Sequence, residues 1–234
     1  PGFEYQYGGA GRKHWVPDLD DPRVLERHLH LIEAMGKRYD GHCDLAHVDI
    51  GSVGWWGEWH MSQTGVSVPS PQTRRKIIDA YLAAFRKTSL VMQIGDLEGL
   101  RQATGQGAGW RADCLGDMGG FSKNWCHMKN FYPQQIEKAG IADVWKRAPV
   151  AFESCWTLTK WLEEKWDVQM IFDWALAQHA SFINNKSAPI PEGGRQFVET
   201  VLRFLGYRFV VRAVEHPGEV NRGQMFRVRT EWEN

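Results

Sequence analysis

The sequence predicts an α/β fold built on a parallel sheet, followed by a short antiparallel β segment. Two observations carry this. Short apolar runs alternate with amphipathic helical stretches through residue 205, the pattern of strands joined by crossover helices. After Gly206 the helical pattern stops, and two β-rich segments are separated only by turn residues. A length of 234 residues suits one such domain with an appendage. The division falls at 1–205 and 206–234.

Asp20, Asp21 and Pro22 open the first helix, an aspartate cap with proline at the first helical position. Leu25, Leu29, Ile32, Met35 and Tyr39 then recur at helical spacing, and Asp40-Gly41 ends the run. Residues 45–50 are short and mainly apolar, as a strand covered on both faces should be. Ser70-Pro71 starts the next helix, with Ile77, Ile78, Tyr81, Leu82 and Phe85 on one face. A second buried strand follows over 90–95. Further helices are expected at 97–104, around 133–139, at 158–166 and at 169–177. The strands between and after them fall at 112–115, 150–152 and 181–184. A last amphipathic helix carries Phe197, Val201, Leu202 and Leu205, which makes five strands in all. Beyond it, 207–215 and 225–232 read as the opening hairpin of a separate β domain.

Composition narrows the function. Twenty-eight basic and 28 acidic side chains cancel, which argues against nucleic acid or an anionic membrane as partner. No run of 18 apolar residues exists, so no transmembrane helix is expected. Tryptophan is the unusual residue: 12, against 11 Phe and 6 Tyr. Exposed indole is suited to flat, partly apolar ligands such as sugar rings. The four cysteines show no zinc-ligand spacing and are too few for a disulfide scaffold. The chain opens at Pro1 with no signal-peptide pattern, and reads as a processed product or a piece of a longer protein.

In parallel α/β folds functional groups collect at the carboxyl ends of the strands. Those positions hold Glu58, Asp96, Asp117, Glu153 and Asn184 in turn. Two glutamates facing each other across a pocket are what glycoside hydrolysis needs, one protonating the leaving oxygen and one attacking the anomeric carbon or activating water. Trp55, Trp56, Trp59 and Trp156 flank them, and His60 is placed to touch substrate or tune Glu58. The expected substrate-binding set is Trp56, Trp59, His60, Asp96, Asp117, Trp156 and Asn184. Trp161, Trp166 and Trp174 lie on helical segments and read as packing residues. No cofactor is required by this chemistry.

The stretch from His47 to His60 (HVDIGSVGWWGEWH) resembles a strand-end motif, roughly D-I-G-x-x-G-x-W-G-E-x-H. That motif belongs to an uncharacterised group of glycoside-hydrolase-like TIM barrels, the DUF4832 type. The upstream D-D-P…Y-D-G, the segment from His179 to Asn184 and the segment from Gly206 to Val210 are similar to that group too. The resemblance implies a (β/α)8 barrel of a clan whose acid/base glutamate ends strand four and whose nucleophile ends strand seven. If Glu58 closes strand four, Glu153 closes strand seven, and the strand count from pattern alone gives the same spacing. One departure is Gly57, where the clan often has Asn before the acid/base. About five of eight βα units are then present, strands four to eight, whereas a whole barrel takes about 250 residues. Such a remnant exposes a parallel edge at 45–50 that a second copy could cover. The family type implies a secreted or periplasmic setting.

The implied activity is therefore a two-glutamate O-glycosyl hydrolase of oligo- or polysaccharide, with Glu58 as acid/base and Glu153 as nucleophile. Retention predicts carboxyl groups about 5–5.5 Å apart, inversion about 6.5–9.5 Å. One alternative is a non-catalytic carbohydrate-binding or interaction protein that keeps the aromatic cleft. Another is a metal-assisted hydrolase using Asp49, Glu58, His60 and Asp96. A metal cluster of His42, Cys43, Asp44 and His47 is disfavoured, because Asp44 and His47 straddle a loop-to-strand junction and strand alternation separates their directions. The glycines at 105, 107 and 109 do not join a strand to a helix as a phosphate loop would, and no G-x-S-x-G or Walker pattern occurs.

Overall fold

The computed structural model describes residues 1–6 and 13–234. An antiparallel hairpin, β1 (Gly2–Gln6) and β2 (Lys13–Pro17), comes first. The sequence reading passed over it, because its alternation is short and its side chains are largely exposed. Then α1 (Pro22–Tyr39), β3 (His47–Asp49), α2 (Pro71–Ala84), β4 (Ser89–Gln93), α3 (Leu97–Gly105) and β5 (Gly109–Leu115) alternate. The pattern continues with α4 (Tyr132–Ala139), β6 (Val150–Ser154), α5 (Leu158–Glu163), α6 (Val168–Ala177), β7 (Phe182–Asn184) and α7 (Arg195–Val201). A final antiparallel hairpin, β8 (Val210–Glu215) and β9 (Arg229–Glu233), is exposed throughout.

Among the described residues the parallel sheet has five strands in the order β3-β4-β5-β6-β7, with β3 and β7 as its edges. Every pairing is parallel and every neighbour is next in sequence, so the chain winds one way round. The sheet curls: the ring of His47 on β3 stacks on that of Phe182 on β7, centroids 4.4 Å apart. This is a partial, barrel-like α/β sheet. No helix among the described residues is long and apolar enough to cross a membrane.

Local chemistry fixes the elements. Asp21 caps α1 by accepting from the N–H groups of Arg23 and Val24, with Pro22 in the first turn. The side chain of Asp40, just past α1, accepts from the N–H groups of Lys87 and Thr88, both at 2.9 Å, tying the helix end to the entry of β4. Gly36 lets α1 and α2 close up, since a Cβ there would meet the Ala84 carbonyl oxygen at 2.5 Å.

Strand alternation sorts the sheet into two faces. Leu90 and Met92, Trp110 and Ala112, Val150 and Phe152 join the helices in one apolar core, with Ile77, Ile78, Leu100 and Ile136 opposite. Trp161 is 2% exposed and belongs to that core, while Trp166 and Trp174 pack against it. Register puts the other face side by side: Val91 beside Gly109, then Gln93 beside Arg111, Ala151 and Phe182, then Glu153 beside Asn184. That face is small and apolar at the strand starts and polar at their carboxyl ends. Burial on both faces is why the strands read as nearly continuous apolar runs.

Candidate active site

The polar end of the curled sheet opens into a cleft of about 960 Å3. Its floor carries Asp49, Gln93, Arg111, Asp113 and Glu153, and its walls include Trp56, Phe121, Trp125, Phe131 and Trp156. Trp56 is 70% exposed, a large indole left facing a concavity.

Glu58 reaches the cleft on the loop after β3, which folds back on itself. The N–H of Trp59 donates to the Val53 carbonyl at 2.8 Å, and that of Trp55 to the His60 carbonyl at 2.9 Å. The turn needs left-handed backbone at Gly54, Trp56, Gly57 and Trp59, with φ of 77°, 48°, 78° and 61°. Two of these are bulky tryptophans, and strain of this kind is held in place only where surrounding structure over-determines it. A Cβ on Gly57 would sit 2.2 Å from the Gly51 carbonyl oxygen. No Asn fits before Glu58 in this loop, so the departure at Gly57 is built into the backbone path.

One cation organises the carboxylates. Arg111, its side chain 11% exposed, lies 3.2 Å from Asp49, 3.0 Å from Glu153 and 3.8 Å from Glu58. The same guanidinium nitrogen makes the last two contacts. Laid end to end, they cap the separation of those two glutamate oxygens at about 7 Å. The other oxygen of Glu153 is paired with Lys186, from the loop after β7. Lys186 and Ser187 are themselves left-handed, at φ 57° and 55°.

The two glutamates have different surroundings. Burial raises the pKa of Glu58, and the charge and hydrogen bond of Asp113 add to this, while His60 and Arg111 oppose it. The His60 Nε2 stands 3.6 Å from the Glu58 carboxylate. Asp113 is itself held by Tyr132, whose hydroxyl accepts from the Cys114 N–H at 2.8 Å and reaches Asp113 Oδ1 at 3.4 Å. Burial, and then the Asp113 charge, push the Tyr132 hydroxyl well above its ordinary pKa, so it stays a donor. A disulfide between Cys114 and Cys155 staples β5 to the end of β6 at the cleft wall.

The structure brings Glu58, Glu153, Trp56, His60 and Trp156 together around this cleft. The other four expected binding residues sit elsewhere. Trp59 is buried, 4% exposed, and its indole N–H donates to the Ile50 carbonyl at 2.6 Å, so it braces the loop. Asp96 caps α3 by accepting from the Gly99 N–H at 2.8 Å and is paired with Arg74, away from the cleft lining. Asp117 is fully buried behind the lining, and Asn184 accepts from the Lys186 N–H at 2.8 Å and shapes that loop. Arg111, Asp113, His127 and Lys186 were missed by the sequence reading. The period-2 alternation of β5 puts Arg111 and Asp113 on one face, but the sequence pattern places the strand at 112–115, which leaves Arg111 ahead of it and Asp113 within an apolar run.

Two groups of potential metal donors occur among the described residues: Glu58 with His60 and Asp113, and His42 with Cys43 and Asp44. In each, ligand atoms lie within 4.8 Å of one another. The second lies in an exposed turn before β3, and His47, which strand alternation separates from Asp44, stands outside it. The donor set imagined from sequence is not assembled, since Asp96 is engaged by Arg74.

No protein-family model matches the chain, and comparison with curated proteins and with solved structures finds no match.

Proposed function

We propose that this chain carries the active site of a glycoside hydrolase acting on oligo- or polysaccharide, with Glu58 as acid/base and Glu153 as nucleophile. The observation that carries the reading is the pair of carboxylates on one Arg111 nitrogen, in unlike surroundings, beneath an aromatic-walled cleft. Glu58 is biased toward its protonated form by burial and by Asp113, as a residue that must deliver a proton to a glycosidic oxygen requires. Glu153 faces two cations, the setting of a carboxylate that attacks rather than protonates. Separation up to about 7 Å covers the retaining spacing and only the lower edge of the inverting one. In the retaining course Glu58 protonates the leaving oxygen while Glu153 forms the glycosyl bond. Glu58 then takes a proton from the water that releases the sugar.

The barrel ancestry implied by the loop motif supports the same roles. Against turnover stands the pairing of both Glu153 oxygens, one by Arg111 and one by Lys186, which favours a binding module unless Lys186 swings away. A screen of natural polysaccharides with reducing-end detection tests the reading, and proton NMR of the first-formed anomer tests retention. Activity that persists in Glu153→Gln, or that chelator abolishes, sinks the two-glutamate assignment. Binding without cleavage across the screen leaves the binding module.

A further inference from the structure

The cleft holds a second polar device that the two glutamates do not use. Asp117, in the loop after β5, is 0% exposed and accepts four hydrogen bonds. Its Oδ1 takes the N–H groups of Gly119 at 3.1 Å and Gly120 at 3.0 Å, and its Oδ2 takes the His127 N–H at 3.0 Å and the ring Nδ1 at 2.6 Å. Burial works against the Asp117 charge, but these four donors, His127 first among them, hold its carboxyl below the usual range. A carboxylate only accepts, so Nδ1 carries the proton, which leaves Nε2 as the acceptor whenever the ring holds a single proton. Closing a surface loop does not require a buried charge. What the charge adds is a fixed orientation and a fixed tautomer for one imidazole.

That imidazole lines the cleft. Trp125 meets it edge-on at 4.6 Å, Phe121 at 5.6 Å and Phe131 at 5.9 Å, and Trp156 lies against Phe121 at 4.7 Å. All four rings also line the cleft, and Phe121 is 59% exposed. With Nδ1 anchored on Asp117, the ring's other nitrogen is the one turned from the anchor. A flat aromatic wall beside a hydrogen-bond acceptor matches a sugar ring, with its C–H face and its hydroxyl rim. The cleft's four carboxylates, Asp49, Glu58, Asp113 and Glu153, outnumber Arg111 and Lys186, which disfavours an acidic sugar.

We propose that His127, fixed by Asp117, accepts a hydrogen bond from a hydroxyl of an uncharged sugar unit packed on Trp125 and Phe121, forming a binding subsite apart from the two-glutamate centre. This rests on the carbohydrate reading above. The test uses the whole chain carrying Glu58→Gln, so that nothing is cut. Neutral tetrasaccharides of glucose, xylose and mannose are titrated by tryptophan fluorescence, with a galacturonate tetramer as the acidic control, and the His127 ring nitrogens are followed by 15N NMR. A neutral tetrasaccharide should bind and shift the Nε2 resonance. Adding His127→Ala should weaken it about tenfold, His127→Gln should recover part of the loss, and Asp117→Asn, which turns the tautomer, should weaken it again. If His127→Ala does not fold, the Gln variant and the Nε2 shift decide. Unchanged affinity in the His127 variants, or an unmoved Nε2, overturns the subsite while leaving the glycosidase reading intact. Tighter binding of the acidic tetramer overturns the uncharged class. A panel that is neither bound by the Glu58→Gln chain nor cut by the wild type overturns both.

Discussion

Replacing Arg111 by Met tests how the cleft floor is held. The guanidinium serves Glu153 at 3.0 Å, Asp49 at 3.2 Å and Glu58 at 3.8 Å, and only 11% of its side chain is exposed. Methionine keeps most of the volume and removes the charge. Stripping a buried pair of one partner costs about 3–5 kcal/mol. Asp49, 39% exposed, is screened by water and adds little. The expected loss is therefore set by the two glutamates, about 3 kcal/mol near pH 8 by urea unfolding. Its pH dependence has a definite sign. Arg111 lowers the Glu58 pKa, so without it that pKa rises further above the unfolded value. The folded variant then binds protons more readily than its unfolded chain, and its deficit grows with rising pH and shrinks toward about pH 5. Adding Glu58→Gln should return about 1 kcal/mol or more of the loss, because Glu153 keeps Lys186 and Glu58 is the buried carboxylate left stranded. A deficit under about 1 kcal/mol, or one equal at both pH values, would refute the view of Arg111 as the shared counter-charge.

Other expectations follow from the same geometry. Because the folded pKa of Glu58 is raised, its charge costs stability as pH climbs through that pKa; Glu58→Gln should melt no lower than wild type at neutral pH, while kcat on unactivated glycosides falls about a thousandfold. The wild-type alkaline limb of kcat/KM should sit above the ordinary carboxylate range, and Asp113→Asn should move it down. Reducing the Cys114–Cys155 bond, whose ends are 41 residues apart, should cost about 4 kcal/mol on the chain-entropy account, read as the shift in a thermal melt with and without dithiothreitol. Gly57→Asn should not improve the site toward the barrel pattern. Its Cβ meets the Gly51 carbonyl, and a loss of at least about 2 kcal/mol is expected by urea unfolding, together with lost activity.

Much of this architecture is legible in the sequence. Helix caps at Asp21 and Ser70 and the apolar runs of β4 to β6 placed elements within a few residues, because capping and two-sided burial leave local signatures. The strand-end rule led to Glu58 and Glu153: Glu153 sits near the end of the apolar run of β6, and Glu58 in the Gly- and Trp-rich loop that follows β3. It failed where a polar residue at a strand end serves the fold instead: Asp96 as helix cap, Asp117 as a buried acceptor, Asn184 as a loop brace. It also passed over Arg111, because a cation inside a strand has meaning only once the neighbours from β3 and β6 stand beside it. The Cys114–Cys155 bond was invisible for the same reason, joining positions far apart in sequence that parallel pairing sets side by side.

The contact of His47 with Phe182 joins the two edge strands of the sheet where those strands begin. Both rings sit on the first residues of edge strands, where the neighbouring inward positions are the small Val91, Gly109 and Ala151. Five strands suffice to bring the edges into contact there, because one stacked ring pair bridges them. At the carboxyl ends of the same two strands the chain frames the cleft with loops: the Glu58 turn after β3, the Lys186 turn after β7. The two loops that frame the ligand cleft thus spring from strands whose other ends are tied by a ring pair. Trimming His47 or Phe182 would act on those loops by relaxing that tie.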